Sequence, residues 1–232
     1  MENFLEKRNL FYRELSGSGL EIGAFEHPAL LPSNCTVKYC DVINKKQAKE
    51  LFPEVTISSL PEIDLVIDLD QNGLAEIPDR SQDFIIINHV LEHLFDPIFA
   101  VNECYRVLKY KGSLVLSVPD KRFTYDKNRP LSSLCEIQKR IRRVPKLPTP
   151  DDYVDMIEFL HTELLEKPES EKQSALKRFM KRREHLNVWT DQTFIEFFKN
   201  IISEYSLDLT LQFEVLSHEN NFEYFSAWKK NS

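Results

Sequence analysis

Gly19-Leu20-Glu21-Ile22-Gly23-Ala24-Phe25 sets a short apolar strand beside an acid, with a glycine turn close behind. An acid and a glycine at the carboxyl end of the first strand of an open α/β sheet stand where such sheets bind nucleotide-like ligands. Glycine has no Cβ, so the backbone there can approach a ligand closely. What lies on either side decides whether this is such a strand.

Upstream, residues 3–15 read as an amphipathic helix with Phe4, Leu5, Phe11, Tyr12 and Leu15 on one side. Ser16-Gly17-Ser18-Gly19 breaks it. Downstream, a loop with Pro28 and Pro32 leads to a second strand, 36–40, ending at Asp41. A short helix over 45–51 follows, then a third strand, 63–67, ending in Asp68-Leu69-Asp70. Phe84-Ile85-Ile86-Ile87 is a fourth strand, and its unbroken apolar run suits burial on both faces of a parallel sheet. Asp96-Pro97 starts a helix as N-cap and first residue, with Ile98, Val101, Tyr105 and Leu108 inward and Gly112 at its end. Residues 113–118 form a fifth strand, stopped by Pro119. This alternation predicts a doubly wound α/β sheet with its strand ends on one edge.

The alternation then stops. Residues 131–185 carry helical patterns interrupted by Pro145, Pro148 and Pro150. Thr190 or Asp191 caps a helix with Phe194, Phe197, Phe198, Ile201, Ile202 and Tyr205 on its face. Two strands, roughly 208–217 and 222–229, close the chain, with Asn220-Asn221 as a hairpin turn.

The 232 residues suffice for one domain with a sizeable core. A net charge of −7 argues against a general nucleic-acid binder. The charged start (Glu2, Glu6, Lys7, Arg8) lacks the apolar centre of a signal peptide, and no apolar run approaches the length of a membrane helix. The four cysteines, Cys35, Cys40, Cys104 and Cys135, have no paired spacing and read as reduced thiols. A cytoplasmic location, without stable membrane insertion, is therefore expected.

The order of elements resembles the class I S-adenosylmethionine-dependent methyltransferases. The stretch 83–97, Asp-Phe-Ile-Ile-Ile-Asn-His-Val-Leu-Glu-His-Leu-Phe-Asp-Pro, is similar to the fourth strand and following loop of their small-molecule group. Residues 118–126 (Val-Pro-Asp-Lys-Arg-Phe-Thr-Tyr-Asp), with Arg129-Pro130, resemble a bacterial subgroup linked to surface-polysaccharide synthesis. The resemblance implies a Rossmann-like seven-stranded sheet with an antiparallel carboxyl-terminal hairpin. It implies one methyltransferase domain over 1–232, with 127–185 a helical insertion that caps the substrate. It also implies S-adenosyl-L-methionine as cofactor and a small-molecule or glycan acceptor, foremost a sugar hydroxyl. A quinone, phenol or amine acceptor is the alternative, as is a catalytically silent protein that binds the cofactor or a partner.

Carried over by position, Glu21, Gly23 and Ala24 line the methionine part of the cofactor. Asp41 binds the ribose hydroxyls, as a carboxylate can accept from both hydroxyls of a diol. Asp70, with Gln71 beside it, reads the adenine amino group. Asn88 and His89 leave the fourth strand beside the sulfonium. Two departures stand out. Ala24, Phe25 and Glu26 replace the family's further glycines, and Lys109-Tyr110-Lys111-Gly112 replaces the usual Lys-Pro-Gly-Gly turn. A cofactor without a pyrophosphate needs less close backbone approach, so the first departure is compatible with binding.

Transfer to a hydroxyl is helped by a general base, with histidine or a carboxylate the usual choice. His89, Asp120 and His185 are the candidates, the last in a His-x-x-Val-Trp-Thr segment that also resembles the subgroup. Lys121 and Arg122 are candidates for binding a phosphate or carboxylate on the acceptor. Glu92 and His93 read as supports for the loop. His89-Val90-Leu91-Glu92-His93 also spells a His-x-x-Glu-His metal pattern, and some quinone O-methyltransferases of this fold bind a divalent ion at matching positions. The pattern normally needs a long helix and an additional ligand, whereas this one follows a strand, so no metal is expected. Two basic clusters, 139–146 and 177–183, read as solvated helix faces or as a cap over an anionic acceptor. Nothing in the sequence sets the oligomeric state.

Overall fold

The computed structural model describes residues 3–232. Its strands are β1 (Gly17–Ile22), β2 (Cys35–Asp41), β3 (Leu65–Val66), β4 (Gln82–Asn88), β5 (Leu108–Pro119), β6 (Leu209–Val215) and β7 (Glu223–Lys230). They form one seven-stranded sheet in the order β3-β2-β1-β4-β5-β7-β6. The first five strands run parallel. β7 inserts antiparallel between β5 and β6. This is the Rossmann-like architecture expected from the order of elements, including the reversed strand at the carboxyl end.

Strand alternation divides the sheet's apolar side chains between two cores. Leu20, Ile22, Ile85, Ile87, Leu114 and Leu116 face helices α3 (Pro97–Val107) and α7 (Asp191–Glu204), which contribute Ile98, Val101, Phe194, Phe198 and Ile201. Phe84, Ile86, Val115 and Phe225 face the other way, onto Tyr12 and Leu15. Tyr12 ends helix α1 (Asn3–Tyr12). The run from Phe84 to Ile87 is thus buried on both faces, as its composition requires.

The caps follow the sequence. Asp96 accepts from the Phe99 N–H at 2.8 Å with Pro97 as the first helical residue. Thr190, rather than Asp191, caps α7 in a capping box with Thr193. Helix α2 (Lys45–Leu51) is capped the same way by Asn44 and Gln47.

Between β5 and α7 come α4 (Leu134–Arg140), α5 (Val154–Phe159) and α6 (Glu169–Arg182). They build a third apolar cluster of their own, with Tyr153, Met156, Ile157, Leu176, Phe179 and Leu186 packed against Phe95 of the main body. Much of the first basic cluster is structural. Arg140 donates to the Asn187 side chain at 2.5 Å, and Arg143 donates both ways to Asp152 at 2.8 Å.

Several boundaries differ from the sequence reading; the third strand, read as 63–67, is only Leu65–Val66. Helix α1 stops at Tyr12, and β1 starts at Gly17 within the supposed break. Helix α3 ends at Val107, because Leu108 is taken as a buried strand residue opposite Gln82. Gly112 therefore lies inside β5. Asn220-Asn221 is not a simple hairpin turn. A one-turn helix, Ser217–Asn220, is ended by Asn221 at φ 54, a left-handed conformation that asparagine tolerates. The Asn220 side-chain oxygen then accepts from the N–H groups of Phe222 and Glu223, which launches β7.

Candidate active site

The carboxyl ends of β1, β2 and β4 open into a cleft of about 780 Å³. That lies within the roughly 300–1,000 Å³ usual for small-molecule and cofactor sites. Glu21, Gly23, Ala24, Asp41, Asn88 and His89 all line it. Gly23 has φ +69, and a Cβ there would meet Val90 Cγ2 at 2.5 Å. Both facts demand glycine at this turn.

Glu21 is 1% exposed and accepts from the Ala29 N–H at 2.9 and 3.1 Å. Burial pushes its carboxyl up to about 7, against the pull of that bond and of Arg8. Asp41 accepts from the Ile43 N–H at 3.2 Å, and burial raises its pKa too. Asn88 donates to the Tyr12 hydroxyl at 2.8 Å, while its own side-chain oxygen is buried without a partner.

Asp70 and Gln71 do not line the cleft. Asp70 accepts from the N–H groups of Phe95 and Asp96, at 3.1 and 3.0 Å, and so shapes the entry to α3. Gln71 donates to Asp68 at 3.0 Å. Leu69, Ile67, Val42 and Ile43 line that side of the cleft instead.

His89 turns the chain out of β4 at φ 52, in the left-handed region where histidine is among the commoner non-glycine residues. Its Nε2 lies 2.6 Å from Glu223 of β7, and its ring stacks on Phe222. Glu223 is fully buried and accepts from Arg8 Nε at 2.7 Å, with a second bond from Arg8 Nη2. Arg8 Nη2 also donates to Ser117 at 3.0 Å. Burial pushes Glu223 up, but Arg8 and His89 together outweigh it and hold the carboxyl at about 2. Burial lowers the pKa of His89 more than Glu223 raises it. The ring is therefore neutral, with Nε2–H donated to Glu223 and Nδ1 unbonded, 3.6 Å from the buried Glu92 Oε1.

Asp120 stands at the expected edge but does not reach the cleft. It accepts from Arg122 at 2.6 and 3.0 Å, from the Asp191 N–H at 2.8 Å and from the Ser217 hydroxyl at 2.8 Å. Burial is the largest influence on its carboxyl, yet these bonds together hold it low. Arg122 spends its remaining reach on Asp191 at 2.6 Å, and Lys121 donates to the Arg129 carbonyl. Asp120 and Arg122 thus tie the end of β5 to α7 and to Ser217 before β7, and Lys121 ties it to the start of the inserted region. His185 also lies off the cleft lining, with Nδ1 2.6 Å from Asp126.

Several lining residues escape a sequence reading. Phe4, Arg8, His27 and Phe222 form one wall, and Lys181, Arg182 and Arg183 at the end of α6 form another. Arg183 pairs with Asp68 at 2.5 Å and Arg182 with Glu54 at 2.5 Å, so the second basic cluster bridges the insertion to the β2–β3 side. The spacing of Phe4, Arg8 and Tyr12 at four-residue intervals was the available signal for Arg8, since it places all three on one helix face.

The sheet order, the reversed β7 and an acid-lined cleft at the strand ends define the class I methyltransferase fold. Residues 17–116 match the family model described as a methyltransferase domain. A protein named a probable S-adenosylmethionine-dependent methyltransferase from Mycolicibacterium smegmatis is 34% identical over 80 residues. That alignment takes in 34% of this chain and 31% of the relative, so the chain spans about a third of that protein's length. A Methanococcus maripaludis structure, described as a candidate S-adenosyl-L-methionine-dependent methyltransferase, superposes with a TM-score of 0.51 at 16% identity. It covers 99% of this chain and 85% of that one. A Rhodobacter sphaeroides structure described as a candidate zinc-dependent alcohol dehydrogenase gives a TM-score of 0.56 at 14% identity, covering 98% of this chain and 90% of that one. At these identities both establish the fold alone.

Proposed function

We propose that the protein transfers a methyl group from S-adenosylmethionine to a hydroxyl of a sugar, on a glycan precursor or a nucleotide-sugar. The observation that carries the reading is the union of Glu21, Gly23, Asp41, Asn88 and His89 in one cleft at the strand ends. The cofactor supplies an activated methyl on a sulfonium; the chain must hold it and align the acceptor. Glu21 and the Gly23 turn suit the methionine end, Asp41 the ribose diol, and the apolar slot of Val42, Ile43, Ile67 and Leu69 the flat base.

His89 is the best-placed base. With the cofactor bound, His89 would take the proton of the acceptor hydroxyl on Nδ1 as that oxygen accepts the methyl group. Glu223 and Arg8 hold the ring for that role and accommodate the imidazolium that forms. A sugar phosphate as acceptor is supported by Lys181 on the cleft wall, beside the ion-paired Arg182 and Arg183, and by the subgroup resemblance of residues 118–130. Asp120, Lys121, Arg122 and His185 act in this reading as positioning residues.

Incubation with S-adenosylmethionine and a panel of nucleotide-sugars, glycans and phenols, read by mass for one added methylene, tests the proposal. Methylation of a sugar hydroxyl is expected; activity confined to phenols or amines would refute the acceptor class.

A further inference from the structure

Glu92 is 0% exposed, and neither of its carboxylate oxygens has a hydrogen-bond partner. Such an orphaned acid in a protein interior costs on the order of 1–3 kcal/mol or more, so it calls for an explanation. Three imidazoles approach it: His89 Nδ1 lies 3.6 Å from Oε1, and His93 and His185 each offer a ring nitrogen within 4.8 Å. His93 is bonded through Nδ1 to the Arg183 carbonyl at 2.5 Å, and His185 through Nδ1 to the Asp126 carboxylate at 2.6 Å. Each ring therefore keeps Nδ1–H engaged and leaves Nε2 bare. One ligand atom from each of Glu92, His93 and His185 falls within 4.8 Å of the others.

We propose that Glu92, His93 and His185 form a binding site for one divalent first-row transition ion of the zinc class. Two imidazole nitrogens and a carboxylate are a recognised zinc set that leaves a fourth position for water or substrate. The outer bonds fit as well. A metal-bound histidine characteristically donates its other N–H to a carbonyl or carboxylate, and here one does each. Asp126 is itself fixed by Arg129, which is buried, at 2.7 Å. The two ligand segments are also locked together through the main chain. The Glu92 carbonyl accepts from the N–H groups of Leu186 and Asn187, at 2.7 and 2.8 Å. His93 Nε2 lies 3.9 Å from Glu92 Oε1, too far for a hydrogen bond. It is close to the roughly 3.3–3.6 Å between two ligand atoms on one tetrahedral ion with bonds of about 2.0–2.2 Å.

His89 is not part of this set. Its Nε2 is committed to Glu223 and its Nδ1, although 3.6 Å from Glu92 Oε1, falls outside the cluster, so the third ligand comes from the inserted region, 92 positions beyond His93 in the chain as read from the two residue numbers. His93 and Glu184 line the cleft, so the cluster adjoins it.

The test uses full-length protein without a histidine tag, stripped with chelator and dialysed. Zinc titration by calorimetry and cobalt titration by visible absorption should each give one ion per chain. His185→Gln, His93→Gln and Glu92→Gln should abolish that binding, and Asp126→Asn should weaken it by about 10- to 100-fold. Failure of the wild type to bind either ion, or equal binding by the wild type and the ligand variants, would overturn the proposal. S-adenosylhomocysteine binding measured on the same samples reports separately on the methyltransferase reading, which stands or falls without the metal.

Discussion

Replacing Arg8 by methionine should expose how the base is held. The guanidinium is 4% exposed and makes two bonds to Glu223, which is fully buried, so methionine of similar length leaves a carboxylate in the core without its cation. Breaking a buried pair from one side costs about 3–5 kcal/mol. The titration of Glu223 gives a similar figure. Holding its carboxyl at about 2 rather than 4.5 contributes on the order of 3 kcal/mol at neutral pH. For a chain of this size each kcal/mol shifts Tm by about 2–4 °C, so Arg8→Met should melt roughly 6–20 °C below wild type. The sign with pH is diagnostic. In wild type the folded pKa is depressed, so the contribution of Glu223 is whole above pH 4.5 and fades as pH falls toward 2. In Arg8→Met burial is no longer outweighed, Glu223 moves above 4.5, and the penalty eases as pH falls from neutral. The double variant Arg8→Met/Glu223→Gln removes the stranded charge and should recover much of the loss. Thermal melts across pH 4–8 read all three proteins. A single variant melting within a degree or two of wild type, or a double variant no better than the single, would refute the reasoning.

Other expectations follow from the same geometry. Gly23→Ala forces a side chain into φ +69 and against Val90; the strain alone costs about 1–2 kcal/mol, and calorimetry should show S-adenosylhomocysteine binding weakened well beyond the change in Tm. Asp41→Asn should weaken that binding by roughly 10- to 150-fold, the worth of a hydrogen bond to a charged group. Asp70→Asn should instead lower Tm with binding changed only a few-fold, because its bonds go to the start of α3. Glu21 has a folded pKa raised to about 7, so wild type should lose stability relative to Glu21→Gln as pH rises from 4.5 through 7. If a cationic amino group of the ligand meets Glu21, binding should release a proton near pH 7, seen as heat that varies with the buffer's ionisation enthalpy. His89→Gln should lower kcat by about 100- to 10,000-fold while S-adenosylhomocysteine binding stays within a few-fold.

The strands that form the middle of the sheet were legible because their apolar runs have no other use. Phe84–Ile87 is too short and too continuous for anything but a doubly buried strand. Helix α7 declared itself through its aromatic stripe and threonine cap, and the reversed β7 through the family resemblance. What the chain concealed were buried charges. Arg8 and Glu223 lie 215 positions apart, and only the fold shows that each cancels the other. Asp70 and Asp120 illustrate the converse. Both stand at the ligand edge, yet each was drawn away by nearby donors, the α3 entry in one case and Arg122 with the start of α7 in the other. His185 was visible as a lone histidine, but its companions Asp126 and Glu92 come from segments far apart in the chain. Short-range pattern carries information about which face is apolar; it carries none about which two distant polar groups will meet.

The central claim is that the cleft holds S-adenosylmethionine through the ends of β1 and β2. Calorimetry with S-adenosylhomocysteine on wild type, Glu21→Ala and Asp41→Ala tests it most directly. One site per chain in wild type, with affinity sharply reduced in both variants while each still melts cooperatively, is the predicted result. No binding to folded wild type, or equal binding by all three proteins, would contradict it.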